Sequence, residues 1–355
     1  MRPNLTTSYA QGISLWRWPR SAWYGCLVLL LLTLPLILDE FYIGELGGVF
    51  IFAIAGVGLM LLTGYTGLVS LGQSAFFGIG AYTNAVLLTK GVPFAVTLPL
   101  AGFVAGLSGI AIGLPTLRMS GFYLAIATLA FSSIVSTIFQ KWTAVTNGFD
   151  GFAVPAPNLF GYSLVDANGL YFLSLAVLIF VIVIANNILR TPVGRAMVAI
   201  RDSEISAQSM GINTAIYKTV AFAVSAGMTG LAGALFAHNV RFMAPDTFDF
   251  VLSIQFVTII FVGGIGSLHG AILGAIFVRL MPQFIAVVRD DLPYNLGRMP
   301  GLEPSLFGLI LVGVIIFEPT GLYGRWLKLK TYVQEFPLHR SIRARKRRTY
   351  ARSER

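Results

Sequence analysis

The chain has 355 residues, of which 56% are hydrophobic and 11% charged, with 38 glycines and a formal net charge of +10. A soluble domain carries about 25% charged residues, so this composition excludes an ordinary soluble enzyme and points to a polytopic membrane protein. The positive charge is not a nucleic-acid signal, because residues 1–20 carry +3, residues 324–355 carry +9 and the remainder carries −2. The basic excess lies in the tails, where Arg343, Arg345, Lys346, Arg347 and Arg348 suit anionic lipid headgroups.

Residues 1–20 are polar and basic and precede an apolar stretch of span length. They are expected to form a cytoplasmic segment followed by a retained anchor, not a cleaved signal. Cys26, in that anchor, is the single cysteine, which excludes an internal disulfide and any paired-cysteine metal site.

A helix needs about 20 apolar residues to cross the hydrocarbon core. Such runs predict an all-α protein of about ten transmembrane helices near 21–38, 46–63, 73–89, 93–115, 120–139, 169–189, 217–237, 250–266, 268–288 and 303–322. An even number leaves both termini on one side. The basic tails and the loop from Arg190 to Lys218 make that side cytoplasmic, while Asp39, Glu40, Glu45, Asp150, Asp166, Asp246, Asp249, Asp290, Asp291 and Glu303 fall outside. Lys90 and Lys141 run against this scheme and are outweighed.

After the second span, Gly64 to Gln73 is polar and glycine-rich for membrane depth. Backbone of that kind is tolerated only against protein or a water-filled cavity, so a broken or re-entrant segment is expected. Gly263 to Gly270 is a second glycine turn between two apolar runs, and broken helices in transporters are where solutes and ions bind. Ser70-Leu71 and Ser267-Leu268 precede comparable helices, a weak sign of an internal repeat. Gly102 with Gly106, Gly109 with Gly113, and Gly227, Gly230, Gly233, Ala234 and Ala237 have the spacing that lets membrane helices approach closely. Gln73, Ser74, Tyr82, Thr83 and Asn84, with Thr128, Ser132 and Ser133, are polar groups within spans that either pair helices or line a path. Arg279 is the candidate deep cation, functional or snorkelling to the outer interface.

Arg190 to Lys218 is a polar island. Asp202 or Ser203 can cap a short helix, Glu204 suits its first turn and Gly211 its left-handed stop, which predicts one helix over about 203–210. A short helix held between two spans can transmit force from a cytosolic partner.

Catalytic patterns are sparse. There is no Gly-Lys dipeptide, hence no phosphate loop of the GxxxxGK type. The histidines are His238, His269 and His339, with no HExxH and no paired set, so no metal site is expected. An intramembrane serine hydrolase would need His269 beside a serine such as Ser267. Glu318 reads as the sole acidic residue near a span interior, which argues against an ion-driven carrier; a stand-alone channel stays open.

The segment Thr63 to Tyr82 (TGYTGLVSLGQSAFFGIGAY) strongly resembles the opening motif of the M-type permease subunits of branched-chain amino acid ABC importers. Phe122 to Phe131 (FYLAIATLAF) looks like that family's next signature, Gly194 to Asn213 like its coupling loop, and Gly263 to Gly270 and Glu318 to Gly324 follow its pattern. The resemblance covers about residues 44–325 in order. It implies a permease in the bacterial inner membrane, paired with a homologous second permease, two cytosolic ATPase subunits and a periplasmic solute-binding protein. ATP and Mg would sit on the ATPase subunits, with no cofactor in this chain.

On that resemblance the permease domain is 21–323, with a coupling loop over 190–218 and a basic cytoplasmic tail over 324–355. Arg201, Asp202, Glu204, Ala207 and Gly211 are expected to couple to the ATPase, and Gly64, Gly67, Gly72, Gln73, Tyr82 and Asn84 to shape the substrate pathway. Related permeases carry urea, short amides or aromatic acids. Thr146 to Phe152 is shorter and more aromatic than the family's glycine-rich stretch at that place, so the resemblance fixes the family more tightly than the solute.

Overall fold

A computed structural model describes residues 20–116, 119, 121–159, 162–163, 166–290, 302–318 and 320–335. The expected segment 1–20, apart from Arg20, and the tail beyond residue 335 lie outside the described residues. The described chain is all-α: α1 Arg20–Thr33, α2 Glu40–Leu59, α3 Gln73–Thr89, α4 Phe94–Thr116, α5 Phe122–Lys141, α6 Ala167–Arg190, α7 Pro192–Asp202, α8 Glu204–Ser209, α9 Thr214–Val240, α10 Phe250–Gly263, α11 Leu268–Asp290, α12 Leu302–Phe317 and α13 Gly321–Glu335. The strands are two-residue pieces in loops, Phe152–Ala153 pairing antiparallel with Phe242–Met243, and Asn158–Leu159 with Tyr162–Ser163.

The expected spans overlap helices, the last of them divided between two. Among the described residues six helical segments, Glu40–Tyr65, Phe94–Pro115, Phe122–Lys141, Ala167–Arg190, Thr214–Val240 and Leu268–Ala286, are long and apolar enough to cross a membrane, and Tyr24–Leu36, Phe250–Gly263 and Ser305–Val314 are shorter apolar helices. Helix α3 has 17 residues, about 25 Å at 1.5 Å per residue.

The core is organised around α2 and α9. Helix α2 is apolar on every side, as a fully enclosed helix must be, and most of its length from Gly47 to Leu59 is buried. It packs against α6, α9 and α11, while α9 packs most extensively against α4 and α3. Small residues make these approaches possible. A methyl group at Gly233 would collide with the carbonyl oxygen of Phe77, and one at Gly80 with that of Gly230. This is the role expected of the glycine spacing, since membrane helices associate through backbone proximity.

Three boundaries differ from expectation. Helix α2 begins at Glu40, not 46, with Asp39 as its extended N-cap residue. Glu45 is therefore a helical residue of the bundle, partly enclosed, and not a loop acid; Glu318 is not the sole acidic group there. Helix α10 stops at Gly263 because Gly264 (φ 110°) and Gly266 (φ 87°) turn the chain through conformations open to glycine. The span expected over 303–322 divides into α12 and α13, and α13 runs through the boundary placed at residue 324.

Candidate functional site

The two glycine-rich breaks and the polar island meet at one end of the bundle. Helix α2 widens into a π-turn over Met60–Tyr65, a feature that often marks functional sites. The chain then leaves helical geometry until Gln73, with Gly67 at φ 76°. The Gly266 N–H reaches Met60 Sδ at 3.2 Å, and a Cβ at Gly64 would lie 3.0 Å from the Gly266 nitrogen. Within the expected break at 64–73, Thr66 to Gly72 is thus a non-helical link, with Gly64 and Tyr65 still in the π-turn, and the break lies against the second one.

Arg201 closes the junction. Its Nη1 donates to the Gly64 carbonyl oxygen at 3.0 Å, while its Nε and Nη2 donate to Asp202 Oδ1 at 3.2 and 3.1 Å. Gly67 faces the same side chain, for a Cβ there would sit 3.0 Å from Arg201 Cγ. A planar fork of donors suits this double duty better than an ammonium would. Residues expected to act in coupling and residues expected to shape the pathway are therefore in direct contact.

The island folds as two helices. Helix α8 matches the expected one, capped by Ser203, whose Oγ accepts the Ser206 N–H at 3.3 Å, and stopped at Gly211 (φ 83°). Helix α7 precedes it, opened by Pro192 at its first turn, with Gly194, Ala196, Met197 and Ile200 buried. Glu204 ion-pairs with Lys218 of α9, whose side chain is only 5% exposed, and Ala207 is buried beneath α8. Both Glu204 and Ala207 thus hold α8 to the bundle. Ile205 and Met210, 82% and 84% exposed, face outward. Reading charge and caps in the sequence misses these two, since an apolar residue in a polar island announces itself only through its exposure.

The remaining pathway residues lie inside the helix packing. Gln73 is fully buried and its Nε2 donates to Ser225 Oγ at 2.9 Å, while its Oε1 has no hydrogen-bond partner among the described residues. Asn84 Nδ2 lies 2.6 Å from His238 Nε2, and Tyr82 packs its ring 4.5 Å from that of Phe139. Gln73 is next to the Gly64–Gly72 link, whereas Tyr82 and Asn84 lie two to three turns further along α3. Gly72 abuts α5, and the neighbouring Leu71 N–H donates to Thr128 Oγ1 at 2.9 Å. Ser74 joins Ser132 of α5 and Ser253 of α10, each hydroxyl pair 2.8 Å apart.

His269 is engaged elsewhere than with a serine. Its Nε2 bonds to the Tyr24 hydroxyl at 2.8 Å and its ring stacks on Tyr323, whereas Ser267 Oγ accepts the Gly270 N–H. Nucleophilic catalysis needs nucleophile and base within hydrogen-bond reach, and this pair does not provide it. Among the described residues no group of three or more His, Cys, Asp or Glu side chains is placed to hold a metal.

Apolar helices broken by interlocking glycine links, and a polar helix pair in contact with those links, define a membrane transport protein. The family model for the permease component of branched-chain amino acid transport systems matches residues 43–318. The chain belongs to this family. It is 34% identical over 297 residues to the high-affinity branched-chain amino acid transport system permease protein LivM of Salmonella typhimurium, covering 77% of this chain and 67% of the relative. LivM of Escherichia coli K12 matches to the same extent. The autoinducer 2 import system permease protein LsrC of Escherichia coli O157:H7 is 26% identical over 310 residues, 82% of this chain and 84% of the relative. No solved structure matches the chain.

Proposed function

We propose that this permease moves branched-chain amino acids inward by alternating access, as one membrane subunit of an ABC importer in a bacterial inner membrane. The substrate class follows the family and the LivM relatives. A more distant relative is an autoinducer 2 permease, so the solute is the part of the reading that experiment must fix. In this reading the chain crosses the membrane ten times with both termini cytoplasmic. It pairs with a second, homologous permease and works with two cytosolic ATPase subunits, which bind ATP and Mg, and a periplasmic binding protein.

The observation that carries the mechanism is the bridge from Arg201 to Gly64. Helix α8 would seat on the ATPase through Ile205, Met210 and Asp202, and Gly211 would let the chain turn back into α9. Movement of α7 and α8 on ATP closure would pull on the Gly64–Gly72 link through Arg201. That link has little side-chain mass to resist a change of path. Gln73, Tyr82 and Asn84 would shape the pathway from behind, by fixing α3 against α9 and α5.

ATP hydrolysis by the co-purified complex in nanodiscs, with its binding protein and a panel of leucine, urea, short amides and aromatic acids, tests the reading. Stimulation by leucine is the expected result. Stimulation by another solute would replace the substrate assignment, and solute flux through a chain that purifies without ATPase subunits would establish a channel instead.

A further inference from the structure

Apart from the coupling junction, one pair of charges inside the bundle has no part in the mechanism so far. Glu45 stands in the second turn of α2 and Arg279 halfway along α11. Charged side chains in a spanning helix are costly and face a partner, a cavity or a path. The Arg279 Nη2 to Glu45 Oε2 distance is 3.4 Å, well beyond the roughly 2.7–2.9 Å of a charge-assisted hydrogen bond. Glu45 Oε2 and Arg279 Nε are buried without a hydrogen-bond partner among the described residues. The pair thus has one long contact and two buried atoms without a hydrogen bond among the described residues.

Its surroundings are shaped. The guanidinium carbon lies 5.5 Å from the centre of the Phe52 ring, and a Cβ at Gly48 would come within 2.9 Å of Arg279 Nε, so the side chain occupies a glycine notch over an aromatic floor. Glu45 Oε2 and Arg279 Nε are enclosed, yet the Arg279 and Glu45 side chains as wholes stay 30% and 21% exposed, so the pair keeps an open side away from those two atoms. On its exposed side a guanidinium offers donors to a carboxylate, and a carboxylate accepts from an ammonium.

We propose that Glu45 and Arg279 form a solute subsite for zwitterionic α-amino acids, the solute carboxylate pairing with Arg279 and its ammonium with Glu45. This deepens the importer reading and rests on it. Both the protein pair and the zwitterion are neutral overall, so loading adds no net charge to the membrane interior. Urea and simple amides offer neither pole and gain no such bonds.

The test uses the complete transporter in proteoliposomes at saturating solute-loaded binding protein, reading ATP consumed and amino acid moved. Failure of solute to stimulate wild-type ATPase would sink the importer reading itself, before any variant is considered. Given stimulation, Glu45→Gln with Arg279→Gln removes both charges together and avoids a stranded ion. In the double variant amino acid moved per ATP is expected to fall about tenfold, the scale of losing hydrogen bonds to charged groups. Arg279→Lys keeps the charge and loses the fork, and it should lower the same ratio even if the double variant fails to assemble. A ratio within twofold of wild type in either assembled variant would overturn the subsite, as would a fall in ATPase and uptake in equal proportion, the mark of a structural pair.

Discussion

Arg201 Nη1 and the Gly64 carbonyl oxygen, 137 residues apart in sequence, are 3.0 Å apart in the folded chain. The bond ties a helix pair on the bundle's surface to a backbone carbonyl in a glycine link between two buried helices. Removing the fork with Arg201→Gln should leave the packing of α7 intact, because Ala196, Met197 and Ile200 supply its buried face. It should loosen the link by about 1 kcal/mol, a roughly fivefold shift in any equilibrium it controls. Amino acid moved per ATP should fall accordingly in proteoliposomes, with ATPase subunits still bound. An unchanged ratio would remove Arg201 from the coupling path.

Ile205 and Met210 make a different prediction. An apolar side chain gains about 1.5–3 kcal/mol from full burial, and these two are largely exposed, Ile205 on α8 and Met210 at its C-terminal cap. Ile205→Ser with Met210→Ser should cost the permease its ATPase subunits on purification without lowering its own level in the membrane. Co-purification at the wild-type ratio would show that the ATPase docks elsewhere.

These contrasts explain what the sequence could tell. Helix α8 was legible because its limits are set locally, by Ser203 at the cap and Gly211 at the stop. Helix α7 lies outside the single helix predicted over 203–210, although Pro192 after Thr191 and apolar residues at 193, 196, 197 and 200 carry the period of an amphipathic helix. The Arg201 bridge and the Glu45–Arg279 pair were not legible, since each joins residues more than a hundred positions apart and depends on which faces the folded bundle brings together. Burial of Gln73, Tyr82 and Asn84 was hidden for the same reason: polarity within a span does not reveal whether it meets a path or another helix.

Glu204 is the residue whose expected behaviour the structure changes most. Its carboxylate serves the buried Lys218 ammonium, so Glu204→Lys would set two ammonium groups against each other and release α8 from the bundle as well as altering any docking. Glu204→Gln alone should destabilise the loop by about 2 kcal/mol, less than a fully buried pair because Glu204 keeps contact with solvent. Adding Lys218→Met should recover most of that loss. Limited proteolysis between residues 203 and 213 reads the loosening directly, and equal protection of single and double variants would show that the pair does not hold α8.

Helix contact through glycine is testable without reference to transport. Gly233→Ala forces a methyl onto the Phe77 carbonyl oxygen, whereas Gly308→Ala meets nothing within 4 Å. Overpacking of that kind costs about 1–3 kcal/mol or more. The first variant should fall well below wild type in membrane level and thermal midpoint, and the second should match wild type. Equal stability of the two would mean that α3 and α9 can part without loss.

Gln73 separates stability from transport. Its Oε1 is buried with no partner among the described residues, and an unsatisfied acceptor in a dry interior costs about 1–3 kcal/mol. Such a cost persists where the group finds its partner in another state, and Gln73 begins α3 immediately beyond the Gly64–Gly72 link, where a change of state would move it first. Gln73→Met keeps the volume and removes the orphan oxygen, while Ser225 can turn its hydroxyl to a carbonyl of its own helix. The variant should be at least as heat-stable as wild type, yet slower in uptake by several-fold, because the state in which Oε1 is satisfied has lost its advantage. A variant that is less stable but transports normally would reverse the assignment and make Gln73 a helix tie and nothing more.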